Sequence, residues 1–341
     1  MSSVIPNRPR IAVIGTGYLG TTQAVCLAAL GFAVTAMDVD QDKISSLRSG
    51  LLPFYEPGLP ELLQETLRTG RLQFSTEFER SADADVIFLC VGTPQSADSS
   101  AADLHFLDAA IAEIAPHLAH KCLVVGKSTV PIGTANRLRT LLQSAAPAGP
   151  LVELAWNPEF LREGHAIADT LRPDRLVFGV TSEWSLRVLR GCFAQPIAAG
   201  TPVIATDLAT AELVKAAANS FLATKISYIN AMAEVCEATG ADVNLLAEAL
   251  SYDSRIGGGF LKPGLGFGGG CLPKDIRAFA HRAAELGVGH AVVFLREVDA
   301  INQRRRQRTV DLITEMACGD LQEVKIAVLG AAFKPDSDDI R

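Results

Sequence analysis

The chain has 341 residues, 48% hydrophobic and 20% charged, with a formal net charge of −7. This is a globular composition, long enough for two domains with a third begun, and it excludes a disordered chain. The negative balance argues against a nucleic-acid binder, which carries a basic face, while local amides and a few Lys or Arg still suffice for an anionic ligand.

The opening MSSVIPNRPR lacks an apolar run long enough for a signal peptide. No stretch approaches the roughly 20 apolar residues of a membrane helix. Seven cysteines (Cys26, Cys90, Cys122, Cys192, Cys236, Cys271, Cys318) are odd in number and include no CxxC pair. They read as reduced thiols rather than a disulfide framework or zinc site, so a soluble cytoplasmic protein without membrane contact or metal is expected.

Short apolar runs then alternate with helix-like segments. Strands are expected at Arg10–Ile14, Ala33–Met37, Asp85–Val91, Cys122–Val125, Val152–Ala155 and Leu176–Val180. They lack period-two alternation, as strands buried on both faces do, and the strand–helix alternation predicts an α/β fold with a doubly wound, mostly parallel sheet. Gly15-Thr-Gly17-Tyr18-Leu19-Gly20 follows the first strand and opens a helix to about Leu30; Asp38 ends the second strand. Glycines there permit a tight turn and close approach of backbone to a pyrophosphate, and a terminal acid can bind ribose hydroxyls. NAD is the expected cofactor. Asp38 would repel a 2′-phosphate, although Lys43 can offset that repulsion.

NPEFLREG supplies Glu159 and Glu163, a pair in which a carboxylate can activate water or two acids can simply face solvent. After Thr206 the pattern turns helical. One long helix is expected from Asp207 to Thr239, capped by Thr206 or Asp207, followed by helices at Val243–Ser251, Asp275–Leu286 and Val292–Thr314. Lys215 and Asn219, one turn apart, can stabilise an oxyanion or form an ordinary solvated face. Gly266-Phe-Gly268-Gly-Gly-Cys271-Leu-Pro273-Lys274-Asp275 crowds glycine where backbone must approach something closely. Cys271 is placed just before a helix N-terminus, which with Lys274 favours a thiolate, and Asp275 shares its side one turn on. The other six cysteines read as small buried hydrophobes. VKIAVLG at Val324–Gly330 repeats the pattern of the first strand and is expected to open a third domain that is cut off. Boundaries are expected at 1–205, 206–318 and 319–341.

Together GTGYLG (15–20), FYEPGL (54–59), VGTP (91–94), STVPIGT (128–134), NPEFLREG (157–164), ELVKAAANSF (212–221), GFGGGCLPKD (266–275) and FKPDSDDIR (333–341) resemble the UDP-glucose/GDP-mannose dehydrogenase family, in its UDP-glucose branch, along the entire chain. The resemblance implies a Rossmann-like domain, a helical domain that dimerises through the long helix, and the start of a second, truncated Rossmann-like domain. It implies a four-electron oxidation of UDP-glucose to UDP-glucuronate by NAD, with Cys271 forming a thiohemiacetal and then a thioester. Lys215 and Asn219 would stabilise oxyanions, Asp275 and Thr129 would hold water, and Glu159 would be the base for hydrolysis. Thr93, Thr129, Glu163, Lys274 and Arg341 match cofactor contacts. Glu159, Phe160, Leu161, Arg162, Lys215, Asn219, Phe260, Leu261, Lys262, Pro263, Gly264, Gly268 and Lys334 match positions around the nucleotide sugar, and Arg255 matches an arginine that reaches a neighbouring subunit's substrate. Gly270 stands where the family usually has Ser beside the cysteine. Two other readings stay open: a two-electron β-hydroxyacid dehydrogenase, which shares the Lys–Asn pair but needs no cysteine, and an NAD-binding or dimerisation module without turnover. GDP-mannose or a UDP-N-acetylhexosamine is the alternative substrate.

Overall fold

A computed structural model describes residues 8–340. Its strands are β1 (Ile11–Ile14), β2 (Val34–Met37), β3 (Leu72–Ser75), β4 (Val86–Leu89), β5 (Cys122–Gly126), β6 (Val152–Trp156), β7 (Leu176–Gly179) and β8 (Val203–Thr206). They form one sheet in the order β3-β2-β1-β4-β5-β6-β7-β8. Every pairing is parallel except β6 with β7, which meet antiparallel at Trp156 and Gly179. The six expected strands are present. The two that sequence patterning passes over, β3 and β8, are the sheet's edges, where covering is incomplete and the apolar signal is diluted by Gln73 and Thr206.

Alternate residues of the central strands enter different cores. Ile11, Val13, Val86, Phe88, Leu123 and Val125 pack in one cluster; Ala12, Ile14, Ile87, Leu89, Val124 and Leu154 pack in the other. Both faces are dry, which is why hydropathy does not alternate along these strands.

The helices that cover the sheet are α1 (Tyr18–Ala29), α2 (Gln41–Arg48), α3 (Leu59–Arg68), α4 (His105–Ile114), α5 (Thr134–Ala145), α6 (Ala166–Leu171), α7 (Glu183–Cys192) and α8 (Ala194–Ala198). Then come α9 (Leu208–Thr239), α10 (Val243–Ser251), α11 (Leu272–Glu285) and α12 (Phe294–Met316). Asp207 caps α9, its Oδ1 accepting the Thr210 N–H at 2.9 Å.

Two compact units divide the chain. One runs up to Pro94 and adds Ala102–Lys215 and Pro335–Asp338; the other comprises Gln95–Ala101, Ala216–Lys334 and the residues from Asp339. The dividing line falls inside α9. All of the sheet belongs to the first unit. The second has a small core of Ala223, Phe267, Ile276 and Val298.

Val324–Gly330 corrects the sequence reading. It forms no strand, and Val328 and Leu329 are 80% and 96% exposed. A parallel strand is held by a neighbour's N–H and C=O groups, and among the described residues its unit contains no other strand to provide them. No described helix is long and apolar enough to cross a membrane.

Candidate active site

The strand order reverses between β1 and β4, and ligands of doubly wound sheets bind at the carboxyl ends of the strands at such a switch point. The glycine turn is there. Gly15 has φ 91°, a Cβ at Gly20 would lie 1.8 Å from the Gly15 carbonyl oxygen, and a Cβ at Gly17 would meet nothing within 4 Å. So the first glycine makes the turn, the last lets α1 pack on β1, and the middle one leaves open space at the helix N-terminus. No side chain caps α1 at Gly17. A helix N-terminus left in this state suits a pyrophosphate, so the residues present fit a dinucleotide. Leu19 is half-buried beside them.

Asp38 is more engaged than its sequence position reveals. Its Oδ2 accepts the Thr16 N–H at 2.7 Å, the Thr16 hydroxyl at 2.9 Å and Lys43 Nζ at 3.1 Å; its Oδ1 accepts the Asp40 N–H at 3.1 Å. Burial alone would raise its pKa, but these donors outweigh burial and hold the carboxyl below its usual range. Further along the strand ends, Thr93 Oγ1 donates to the Thr129 carbonyl at 2.8 Å, and Ser128 Oγ donates to the Val91 carbonyl at 2.6 Å. The two loops carrying Thr93 and Thr129 are thereby tied together.

At the ends of β5 and β6 lies a buried network that sequence reasoning missed. Lys127 is 3% exposed; its ammonium donates to Asn157 Oδ1 at 3.0 Å and lies 2.9 Å from Glu159 Oε2. Glu159 Oε1 accepts the N–H groups of Phe160 and Leu161 at 2.7 and 2.9 Å. Burial would raise the Glu159 pKa, but Lys127 and the two amides reverse the direction and lower it. A carboxylate held this way is a weakened base, a constraint on the hydrolytic role expected of Glu159. Phe160 presents its ring to Arg175 at 4.0 Å and to Lys215 Nζ at 5.2 Å. Arg162 is committed to Asp169 at 2.7 Å, and Glu163 accepts the Ser337 hydroxyl at 3.1 Å. Two buried glutamates were also missed. Glu212 Oε2 and Oε1 accept the N–H groups of Gly133 and Ala135 at 2.7 and 2.6 Å, and Glu56 does the same for Gly164 and Ala166 at 2.6 and 2.7 Å. Lone acids inside motifs carry no sequence signal that they cap another helix.

In the second unit Cys271 is exposed and occupies the N-cap position of α11, with Pro273 in the first turn. The Asp275 N–H donates to the Cys271 carbonyl at 3.0 Å. Asp275 and Asn219 are both buried, and Asn219 Nδ2 donates to Asp275 Oδ2 at 2.6 Å while Lys274 Nζ lies 2.5 Å from Oδ1. Residues from two helices, read separately in the sequence, form one charged hydrogen-bonded group.

The glycine loop is shaped by a residue not foreseen, Asn302. It accepts the Phe267 N–H at 2.8 Å and donates to the Phe267 carbonyl at 2.9 Å. Gly266, with φ 102°, packs so closely that a Cβ would lie 2.1 Å from Asn302 Oδ1. Gly268 is half-buried near Phe333, whose neighbour Lys334 lies 5.5 Å from the ring. Of the stretch 260–264, Phe260 is exposed with φ 64°, Leu261 is buried, Lys262 is exposed, Pro263 is half-buried, and the Gly264 N–H donates to Asn230 Oδ1 at 2.9 Å. Arg255 folds back on Asp253 at 2.6 Å. Arg341 lies outside the described residues.

A doubly wound sheet with this turn at its switch point defines a dinucleotide-binding protein. Residues 9–197 match the NAD binding domain of the UDP-glucose/GDP-mannose dehydrogenase family, and residues 209–304 match that family's central domain. The chain is 43% identical to the UDP-glucose 6-dehydrogenase TuaD of Bacillus subtilis over 334 residues, covering 97% of this chain and 71% of that relative. Among solved structures it resembles a UDP-glucose dehydrogenase from Pyrobaculum islandicum (TM-score 0.92, 37% identity, 99% of this chain and 78% of that one). It also resembles a UDP-D-ManNAc dehydrogenase from Pyrococcus horikoshii (TM-score 0.84, 29% identity, 95% and 76%). The chain belongs to the UDP-glucose/GDP-mannose dehydrogenase family.

Proposed function

We propose that this protein oxidises the 6-hydroxymethyl group of UDP-glucose to a carboxylate, giving UDP-glucuronate in the cytoplasm. The observation that carries the chemistry is Cys271 at the N-cap of α11, one turn before an Asp275 already bonded to Asn219. The choice of sugar rests on the 43% identity to a UDP-glucose 6-dehydrogenase. Gly15, Gly17, Tyr18, Leu19, Gly20 and Asp38, with Thr93, Thr129, Glu163 and Lys274, would hold NAD, which would supply the two-electron oxidant for both oxidations, alcohol to aldehyde and thiohemiacetal to thioester.

The chain's own residues supply the rest. Placement at a helix N-terminus favours the Cys271 thiolate, which adds to the C6 aldehyde and forms a C–S bond. Lys215 and Asn219 stabilise the oxyanion of that adduct. The remaining C6 hydrogen leaves as a hydride, for which NAD would be the oxidant, and the oxyanion closes to the thioester carbonyl. Water adds to that carbonyl and gives up its protons to solvent, the C–S bond breaks, and the thiolate returns. Asp275 and Thr129 position that water. Glu159, kept as a carboxylate by Lys127, accepts a hydrogen bond from it rather than acting as a strong base. The nucleotide sugar is held by Phe160, Leu161, Arg162, the 260–264 stretch, Gly268 and Lys334.

A homodimer completes the proposal. Phe221, Tyr228 and Val235 recur at heptad spacing on α9 and are 66%, 49% and 53% exposed, an apolar stripe that a second copy can cover. Arg255 would reach the partner's substrate from there.

The test is the yield of NADH per UDP-glucose consumed, measured with GDP-mannose and UDP-N-acetylmannosamine alongside. Two equivalents from UDP-glucose are expected. One equivalent would point to a two-electron hydroxyacid-type reaction, and faster turnover of either other sugar would reassign the substrate.

A further inference from the structure

FYEPGL has no role in the chemistry above, yet its Glu56 is completely buried. Oε2 accepts a short hydrogen bond from the Tyr18 phenol and the Gly164 N–H at 2.6 Å, and Oε1 accepts the Ala166 N–H at 2.7 Å. Three donors meet two oxygens. Only a carboxylate offers that many acceptor sites; a glutamine would turn an NH2 toward one of the donors, and an aspartate is a methylene short. Burying such a group costs free energy that a purely apolar contact would not, so its place calls for a reason.

The reason lies in what Glu56 joins. Tyr18 belongs to the glycine turn, and Gly164 is next to Glu163; both Tyr18 and Glu163 are among the cofactor's residues. The surroundings hold the acid itself still. The Phe54 and Tyr18 rings are 4.8 Å apart, the Tyr55 N–H donates to Asp338 at 3.0 Å, and a Cβ on Gly164 would lie 2.9 Å from the Asp336 carbonyl oxygen. Residue 18 and segment 163–166 therefore converge on the carboxylate of Glu56, and segment 336–338 of the same unit contacts its neighbours Tyr55 and Gly164.

We propose that Glu56 is a positioning residue of the NAD site, setting cofactor affinity by fixing the Tyr18 phenol and the Glu163 loop in one arrangement. The proposal rests on the reading of residues 15–20 as the NAD turn. Burial, the Glu56 hydrogen bond and the nearby charges of Glu56 and Glu163 also push the Tyr18 phenol up, while the Gly164 amide opposes them.

Calorimetry with NAD on the full chain tests it. Glu56→Gln should weaken NAD binding by about ten-fold, the loss of one charge-assisted hydrogen bond, and Tyr18→Phe should do likewise. The double variant should be little worse than either alone, because both remove the same link. A tyrosinate absorbance titration checks the link itself: one of the four tyrosines should ionise late, and earlier in Glu56→Gln, while the NAD affinities decide whether that link serves the cofactor. Unchanged NAD affinity in a folded Glu56→Gln, or independent multiplication of the two effects, overturns the proposal. Should Glu56→Gln not fold, Tyr18→Phe decides alone, since it leaves both amide bonds to Glu56 intact; native affinity there overturns it. A wild-type chain that binds no NAD would overturn the cofactor reading and this proposal together, whereas normal wild-type binding with indifferent variants defeats only the latter.

Discussion

Lys127 and Glu159 show how much a single pair decides. The ammonium is buried, so its removal strands the Glu159 carboxylate in a dry place, a loss of about 3–5 kcal/mol. Lys127→Met should lower the melting temperature by an amount matching that loss, and adding Glu159→Leu should recover part of it. A double variant no more stable than the single one would show that the pair is not the cause. At Cys271 the expected effect is chemical rather than structural. Cys271→Ser should abolish uronate release while leaving the affinity for NAD near native, because serine is the poorer nucleophile and its ester hydrolyses slowly. Full four-electron turnover by that variant would rule out the thioester. Lys215→Ala should cost on the order of 10²–10³ in rate without unfolding, as for other preorganised oxyanion donors.

Among the elements, α9 carries the most varied load. Its 32 residues run from the Asp207 cap through Glu212, which caps α5, past Lys215 and Asn219, to the exposed stripe of Phe221, Tyr228 and Val235. A helix with apolar side chains left in water on one face is stabilised when another surface covers them, at roughly 25 cal/mol per Å² removed from solvent. Phe221→Glu with Tyr228→Glu should convert a dimer into a monomer, read by sedimentation equilibrium, with the sheet unit still folded. A wild-type chain that sediments as a monomer would remove the dimer from the proposal. The helix itself was legible from its spacing and cap; that Glu212 reaches across to α5 was not, since residues far apart in sequence leave no periodicity.

For the whole molecule, acid stability follows from carboxylates held low in the folded chain. The Asp38, Glu159 and Asp169 carboxyls all lie below their usual range: burial opposes this in each, and hydrogen bonds or cations win. A group whose folded pKa is below its unfolded value, about 4 for these acids, stabilises the fold above that value. The contribution is lost as pH falls through the depressed folded pKa. Melting temperature should thus hold from neutrality to about pH 5 and drop steeply below about 4. A main loss between pH 5 and 7 would instead implicate histidines and contradict this account.

Sequence by itself determined the doubly wound sheet, the glycine turn that opens the first helix, the long capped helix and the cysteine at a helix start. Each is a local signal: apolar runs bounded by breakers, glycines at fixed offsets, a cap residue before a periodic stretch. Edge strands β3 and β8 were lost because half-covered strands carry a weaker hydrophobic signature. Val324–Gly330 misled for the opposite reason, since its residues suit a strand but pairing needs a neighbour that composition cannot supply. The partners of Glu56, Glu159, Asn219 and Asn302 were decided only by tertiary structure. A buried polar group must find its donor or acceptor wherever the fold brings one, and that distance in space is not written in the spacing along the chain.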